Sequence, residues 1–178
     1  MIFLETSSLI VNNMKEIEES LEFAVFKFND NYGNMEMTGK HTTYNLFALL
    51  CMDLNFYNLY AELQHRVRAV LGYDKPLWMQ AWLNFHKEED VLPWHDHSWP
   101  WHGYICINPQ KTNTVFRDFE GGPEYPVENK PGQIYFGEGG RFHKVEVVES
   151  YSGFRTTIGF DVTDQIGGRV KSVSFIPF

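Results

Sequence analysis

Two hydrophobic periods divide the chain. In its first part, apolar positions return at steps of three and four: Met14, Ile17, Leu21, Val25 and Phe28, then, after Asp53, Phe56, Leu59, Tyr60, Leu63, Val67 and Val70. This is the period of amphipathic helices that bury one face. Asn12 or Asn13 can cap the first helix and "NDNYGN" ends it, while Gly72 stops the second. "TGKHTTYNLFALL" between them reads as a loop leading into a short helix, and residues 1–11 as a short extended segment.

After Pro76 the period becomes two. Residues 77–86 alternate Leu77, Met79, Ala81, Leu83 and Phe85 with Trp78, Gln80, Trp82, Asn84 and His86. The first set can lie on the helices. The second mixes aromatics with amides and suits an interior that holds a ligand. Further strands are predicted at 91–97, 103–108, 113–119, 133–137, 143–149, 154–162 and 169–176, with the turn-rich 120–132, "GGPEYPVENKPGQ", as a mobile rim. Helices followed by about eight short strands predict an α+β fold. The expected architecture is a jelly-roll barrel (double-stranded β-helix) over 76–178, with the mainly helical 1–75 supporting one sheet, all in a single domain 1–178.

Composition narrows the class. With 43% hydrophobic and 21% charged residues the chain is globular rather than disordered. Two cysteines, Cys51 and Cys106, both in apolar sequence surroundings, are too few for a disulfide framework. No basic leader precedes the apolar residues of "MIFLETSSLIV", and "LFALLCM" is too short to span a bilayer, so a cytoplasmic protein is expected. A net charge of −8 argues against extended nucleic-acid binding, although a single nucleobase in a pocket stays possible.

The chemistry concentrates in and just before "VLPWHDHSWPWHGYICI": this stretch holds His95, His97 and His102, and with His86 four of the seven histidines fall within 17 residues. If 91–97 is a strand, His95 and His97 share a face and Asp96 points away. Two imidazoles on one face can chelate a cation, and His143, at the start of a later strand, is the candidate third ligand. Asp96 could ligate only if a bulge re-aimed it; a hydrogen bond to a neighbouring imidazole or a turn group is the simpler role. Twelve residues after His143, Arg155 and Thr157 share a face with Gly159, a guanidinium and hydroxyl that suit a carboxylate. Gln80 and Trp82 would line the cavity, Trp99 and Trp101 would form its entrance, and His102 either contacts substrate or packs.

A His-x-His pair, a distal His, and an Arg-x-Thr a dozen residues further on resemble the 2-oxoglutarate/Fe(II)-dependent oxygenase superfamily. "QAWLNFHKEEDVLPWHDHSWPWHGYICINP" is similar to its bacterial and phage branch, and the resemblance covers roughly 77–162. It implies Fe(II) held by His95, His97 and His143, with 2-oxoglutarate bound through Arg155 and Thr157 and Asn84 contributing. It further implies O2 as oxidant, release of succinate and CO2, and hydroxylation of a substrate C–H bond. Gln80, Trp82, Trp99, Trp101, His102 and Tyr104 are then possible substrate contacts. The substrate could be a protein side chain, an amino acid, a nucleobase or a small metabolite. His97 stands where most of the superfamily has a carboxylate.

Two other classes fit parts of the pattern. "PGQIYFGEGGRFH" resembles a cupin motif, which implies a three-histidine dioxygenase or isomerase with no need for Arg155 and Thr157. "SWPWHGY", however, lacks the glutamate expected after a cupin His-x-His. A non-enzymatic binding module with structural histidines would use the same barrel.

Overall fold

A computed structural model describes residues 2–33, 37–72, 74–165 and 174–178. The chain opens with β1 (Phe3–Thr6) and a short helix α1 (Ser8–Asn12), followed by α2 (Met14–Tyr32), α3 (Leu46–Leu49) and α4 (Leu54–Leu71). It then runs through β2 (Trp78–His86), β3 (Trp101–Asn108), β4 (Thr112–Arg117), β5 (Tyr125–Glu128), β6 (Gln133–Glu138), β7 (Phe142–Val147), β8 (Arg155–Thr163) and β9 (Ile176–Pro177).

The two long helices form where the pattern places them. By contrast, α1 turns the end of the segment 1–11, read as extended, into a short helix whose cap Ser7 accepts from Ile10 N–H. Asp53 caps α4 by accepting from the backbone N–H groups of Asn55 (2.9 Å) and Phe56 (3.1 Å), and Gly72 ends it at φ 63°. Asn13 occupies the cap position of α2 but gives it no side-chain bond; its amide donates back to the Leu9 carbonyl instead. Ile17, Leu21 and Phe28 of α2, and Phe56, Leu59, Leu63 and Val67 of α4, are buried in the core.

Among the described residues all sheet pairings are antiparallel. A six-stranded sheet runs β1-β6-β3-β8-β2-β9 and a three-stranded sheet runs β5-β4-β7. From β3 onward the chain passes from the large sheet to the small one, back at β6, across at β7 and back at β8, an alternation that fits a jelly roll. One face of the large sheet, built from Met79, Ala81, Leu83, Ile105, Ile134, Phe136, Ile158 and Phe160, packs on the helices in a single core. The other face meets the small sheet through Tyr104, Cys106, Phe116 and Tyr135, with the Phe116 and Tyr135 rings 4.7 Å apart. Chemistry-bearing side chains fall on this inner face because period-two alternation leaves the apolar residues to the helices.

Several expectations change. Residues 91–97 form no continuous strand: only His95 bridges to His143, and Val145 N–H goes to Leu92 O (3.0 Å) rather than to Pro93, the next partner in that register. Part of the expected mobile rim, 120–132, is the strand β5 paired to β4. β3 begins at Trp101, so Trp101 and His102 are strand residues and not loop residues. Most of the strand expected at 169–176 lies outside the described residues. Phe85 is exposed and stacks on Phe154 instead of joining the helices, with ring centroids 4.0 Å apart. Cys51 is exposed while Cys106 is buried. Among the described residues no helix is long and apolar enough to cross a membrane.

Candidate functional site

Three imidazoles converge between the sheets. Candidate ligand atoms of His95, His97 and His143 lie within 4.8 Å of one another. The paired backbones of the loop and β7 bring them together: His95 N–H donates to His143 O (3.0 Å) and His143 N–H to His95 O (2.9 Å). His97 leaves this ladder and donates to Gly139 O (2.9 Å), which turns the loop toward Trp99.

Each ring is oriented through its Nδ1. That nitrogen of His95 bonds Pro93 O (2.8 Å), that of His97 bonds Asp161 Oδ1 (2.6 Å), and that of His143 bonds Arg141 O (3.2 Å). All three partners are acceptors, so Nδ1 carries the hydrogen and Nε2 keeps its lone pair for a metal. Burial also favours the neutral form, holding His95 below the usual histidine range and His143 well below it. A set of neutral nitrogen donors suits Fe(II) and other first-row divalent ions.

Asp161 supplies the negative charge that the ligand set itself lacks. It projects from β8 on the same face as Arg155, Thr157 and Gly159, is nearly inaccessible, and accepts from His97 through one oxygen and from Gln80 Nε2 (2.6 Å) through the other. Ser174 Oγ in turn donates to Gln80 Oε1 (2.9 Å). The sequence reading missed Asp161. The same period-two step that joined Arg155 to Thr157 and Gly159 reaches it. Asp96, expected to bond a neighbouring imidazole or a turn group, makes neither bond within the described residues; Asp161 takes the place beside the imidazole.

A narrow inner cavity of about 40 Å³ runs from the histidines to Arg155, with Trp82, Asn84, Tyr104 and Thr157 along it. Arg155 is 3% exposed. Its guanidinium donates to Thr157 Oγ1 (3.3 Å), Nε has no partner, and among the described residues it makes no ion pair. Burial pulls it below its usual pKa, and the groups opposing that shift are Cys106, Tyr104 and Tyr151, none of them a carboxylate. Asn84 links the wall together: Nδ2 donates to Thr157 Oγ1 (3.3 Å), and Oδ1 accepts from Trp82 Nε1 (3.1 Å). The Trp82 indole lies flat against Gly159, where a Cβ would stand 2.6 Å from Trp82 Cε2. The room beside Arg155 and Thr157 is therefore filled by tryptophan.

Trp82 also borders an outer cavity of about 270 Å³, together with Gln80 and Trp99. His102 and Tyr104 line the inner cavity instead. Trp101 lines neither and packs against the core under the helices. The His102 ring lies nearly parallel to those of His97 (4.5 Å, 4°) and His143 (4.8 Å, 5°), and neither of its nitrogens has a hydrogen-bond partner among the described residues. Burial drives His102 down to about 2, so it is neutral.

No protein-family model matches the sequence, and no curated protein matches it. Solved structures do match. A carbocyclase, SnoK, described as non-heme and alpha-ketoglutarate-dependent and from nogalamycin biosynthesis, aligns over 90% of this chain and 78% of its own, with TM-score 0.65 and 11% identity. The non-heme monooxygenase ThoJ, solved with nickel, aligns over 97% and 73%, with TM-score 0.58 and 8% identity. An oxidoreductase of the 2OG-Fe(II) oxygenase family from Burkholderia pseudomallei aligns over 68% of this chain, with TM-score 0.50 and 13% identity; the match spans 58% of that protein's length. The shared property is the fold. Mixed helices and antiparallel sheets of this kind fit the jelly roll of such enzymes, and the three-histidine cluster lies inside it.

Proposed function

We propose that this protein is an Fe(II)- and 2-oxoglutarate-dependent oxygenase that hydroxylates its substrate. The observation that carries this reading is Arg155, a buried guanidinium without a carboxylate, facing the same cavity as three imidazoles whose Nε2 atoms are free. Burying an unpaired charge is costly, and a bidentate carboxylate removes that cost. The residues fit both groups. His95, His97 and His143 would hold the metal, and Arg155, Thr157 and Asn84 would receive the distal carboxylate of the cosubstrate. Bound together, Fe(II) and 2-oxoglutarate supply O2-dependent oxidation with release of succinate and CO2. The chain contributes placement. Asp161 and the backbone carbonyls aim the rings, while Trp82, clamped between Gly159 and Asn84, walls the slot from the larger cavity and limits water.

One observation favours a second reading. His97 gives three neutral ligands where a carboxylate is usual in this superfamily, and a three-histidine cupin-type dioxygenase or isomerase uses such a set.

Anaerobic titration of 2-oxoglutarate into Fe(II)-loaded protein separates the two. The oxygenase reading expects a metal-to-ligand charge-transfer band, and Arg155→Ala should weaken 2-oxoglutarate binding while metal content stays equal. No band and no calorimetric binding would leave the cupin-type reading.

A further inference from the structure

The outer cavity is lined by aromatic, imidazole and carboxylate side chains. Trp82 and Trp99 present aromatic surface, and His41 sits against Trp82 with ring centroids 5.3 Å apart. His41 Nδ1 bonds Thr38 O (3.1 Å), so its Nε2 is an acceptor. Two carboxylates line the cavity, Asp96 and Asp161, and among the described residues no lysine or arginine does. Asp161 is engaged on both oxygens by His97 and Gln80. Asp96 is exposed, and its carboxylate makes no hydrogen bond or ion pair within the described residues.

We propose that this outer cavity binds a substrate bearing a protonated amine or guanidinium, with Asp96 as its counter-ion and Trp99 and Trp82 as the flanking aromatic faces. The reading of the occupant as a substrate rests on the oxygenase proposal; the binding preference does not. A cation gains Coulomb attraction to Asp96 and favourable contact with the negative faces of the indoles. His41 Nε2 and the Ser98 hydroxyl can accept its N–H groups. An anion would meet two carboxylates with no cation among the described lining residues to offset them. At about 270 Å³ the cavity lies just under the usual range of small-molecule pockets, which favours a compact molecule or one inserted side chain. His95 and His97 border the same cavity on either side of Asp96 in the chain.

Calorimetry with benzylamine, benzyl alcohol and benzoate, which share a ring and differ in charge, tests this on metal-free protein. Benzylamine should bind more tightly than the alcohol, and benzoate, measured in Arg155→Ala protein so that the inner guanidinium cannot receive it, should not bind measurably. Asp96→Asn should lower benzylamine affinity at least roughly tenfold and leave benzyl alcohol within about twofold, whereas Trp99→Ala should weaken both. Asp96 is exposed and the change preserves shape, so unchanged metal content in Asp96→Asn certifies its fold. Benzoate binding as tightly as benzylamine, or equal benzylamine affinity in Asp96→Asn, overturns the proposal. The 2-oxoglutarate charge-transfer band, recorded on the same preparations after anaerobic loading with Fe(II), reports separately. Amine selectivity without a band sinks the oxygenase reading alone, and a band without selectivity sinks the amine site alone.

Discussion

Replacing Asp161 by asparagine removes one negative charge from behind His97 and leaves the shape of β8 intact. Its carboxylate fixes the ring through a 2.6 Å bond and makes the imidazole a better donor. Asp161→Asn should therefore lower divalent-metal affinity by about 10- to 100-fold, read by competition with a chromophoric chelator. Gly159→Ala acts two residues away on the same strand. The added methyl would stand 2.6–2.7 Å from Trp82 ring carbons and force the indole away. The expected cost is about 1–3 kcal/mol in urea denaturation. At this scale the sequence showed the histidines and Arg155, because residue type and alternation suffice to mark them. It did not show that Gly159 makes room for Trp82 or that Asp161 holds His97, since both contacts join residues far apart in the chain.

Strands and helices carry their own tests. Asp53 satisfies two free N–H groups at the start of α4, and Asp53→Ala should cost about 1 kcal/mol. At the end of β2, burial together with the nearby Arg155 lowers His86 to about 4. The unfolded chain therefore takes up this proton first. Stability is complete above the ordinary histidine value of 6.5 and is lost as pH falls toward 4. Denaturation midpoints at neutral and mildly acidic pH should diverge, and His86→Gln should narrow the gap. Elements with a clean period were readable, including α2, α4, β2 and β8. The loop at 91–97 looked like a strand because its alternation is real, yet Pro93 has no N–H to give and the pairing reduces to one bridge. β5 was hidden because Gly, Pro and Asn around "YPVE" read as turn, whereas pairing to β4 overrides that local signal.

For the molecule as a whole, ligands that bind only the folded state add to its stability. Metal and 2-oxoglutarate at a hundredfold over their dissociation constants should each contribute about 2.7 kcal/mol. Each should raise the melting temperature by roughly 5–11 °C, and a chelator should reverse the metal's share. The general architecture was legible, since helices followed by short strands leave few ways to cover one sheet with helices. The strand order was not, because it depends on pairings between residues distant in sequence. β8 lies between β2 and β3 and carries Arg155, Thr157, Gly159 and Asp161. During synthesis, β2 and β3 must therefore wait with open edges until β8 leaves the ribosome, and only then does either cavity acquire its wall. A nascent chain halted before Arg155 should be held by chaperones and cleaved rapidly by protease, and release of eight or nine further residues should change both together.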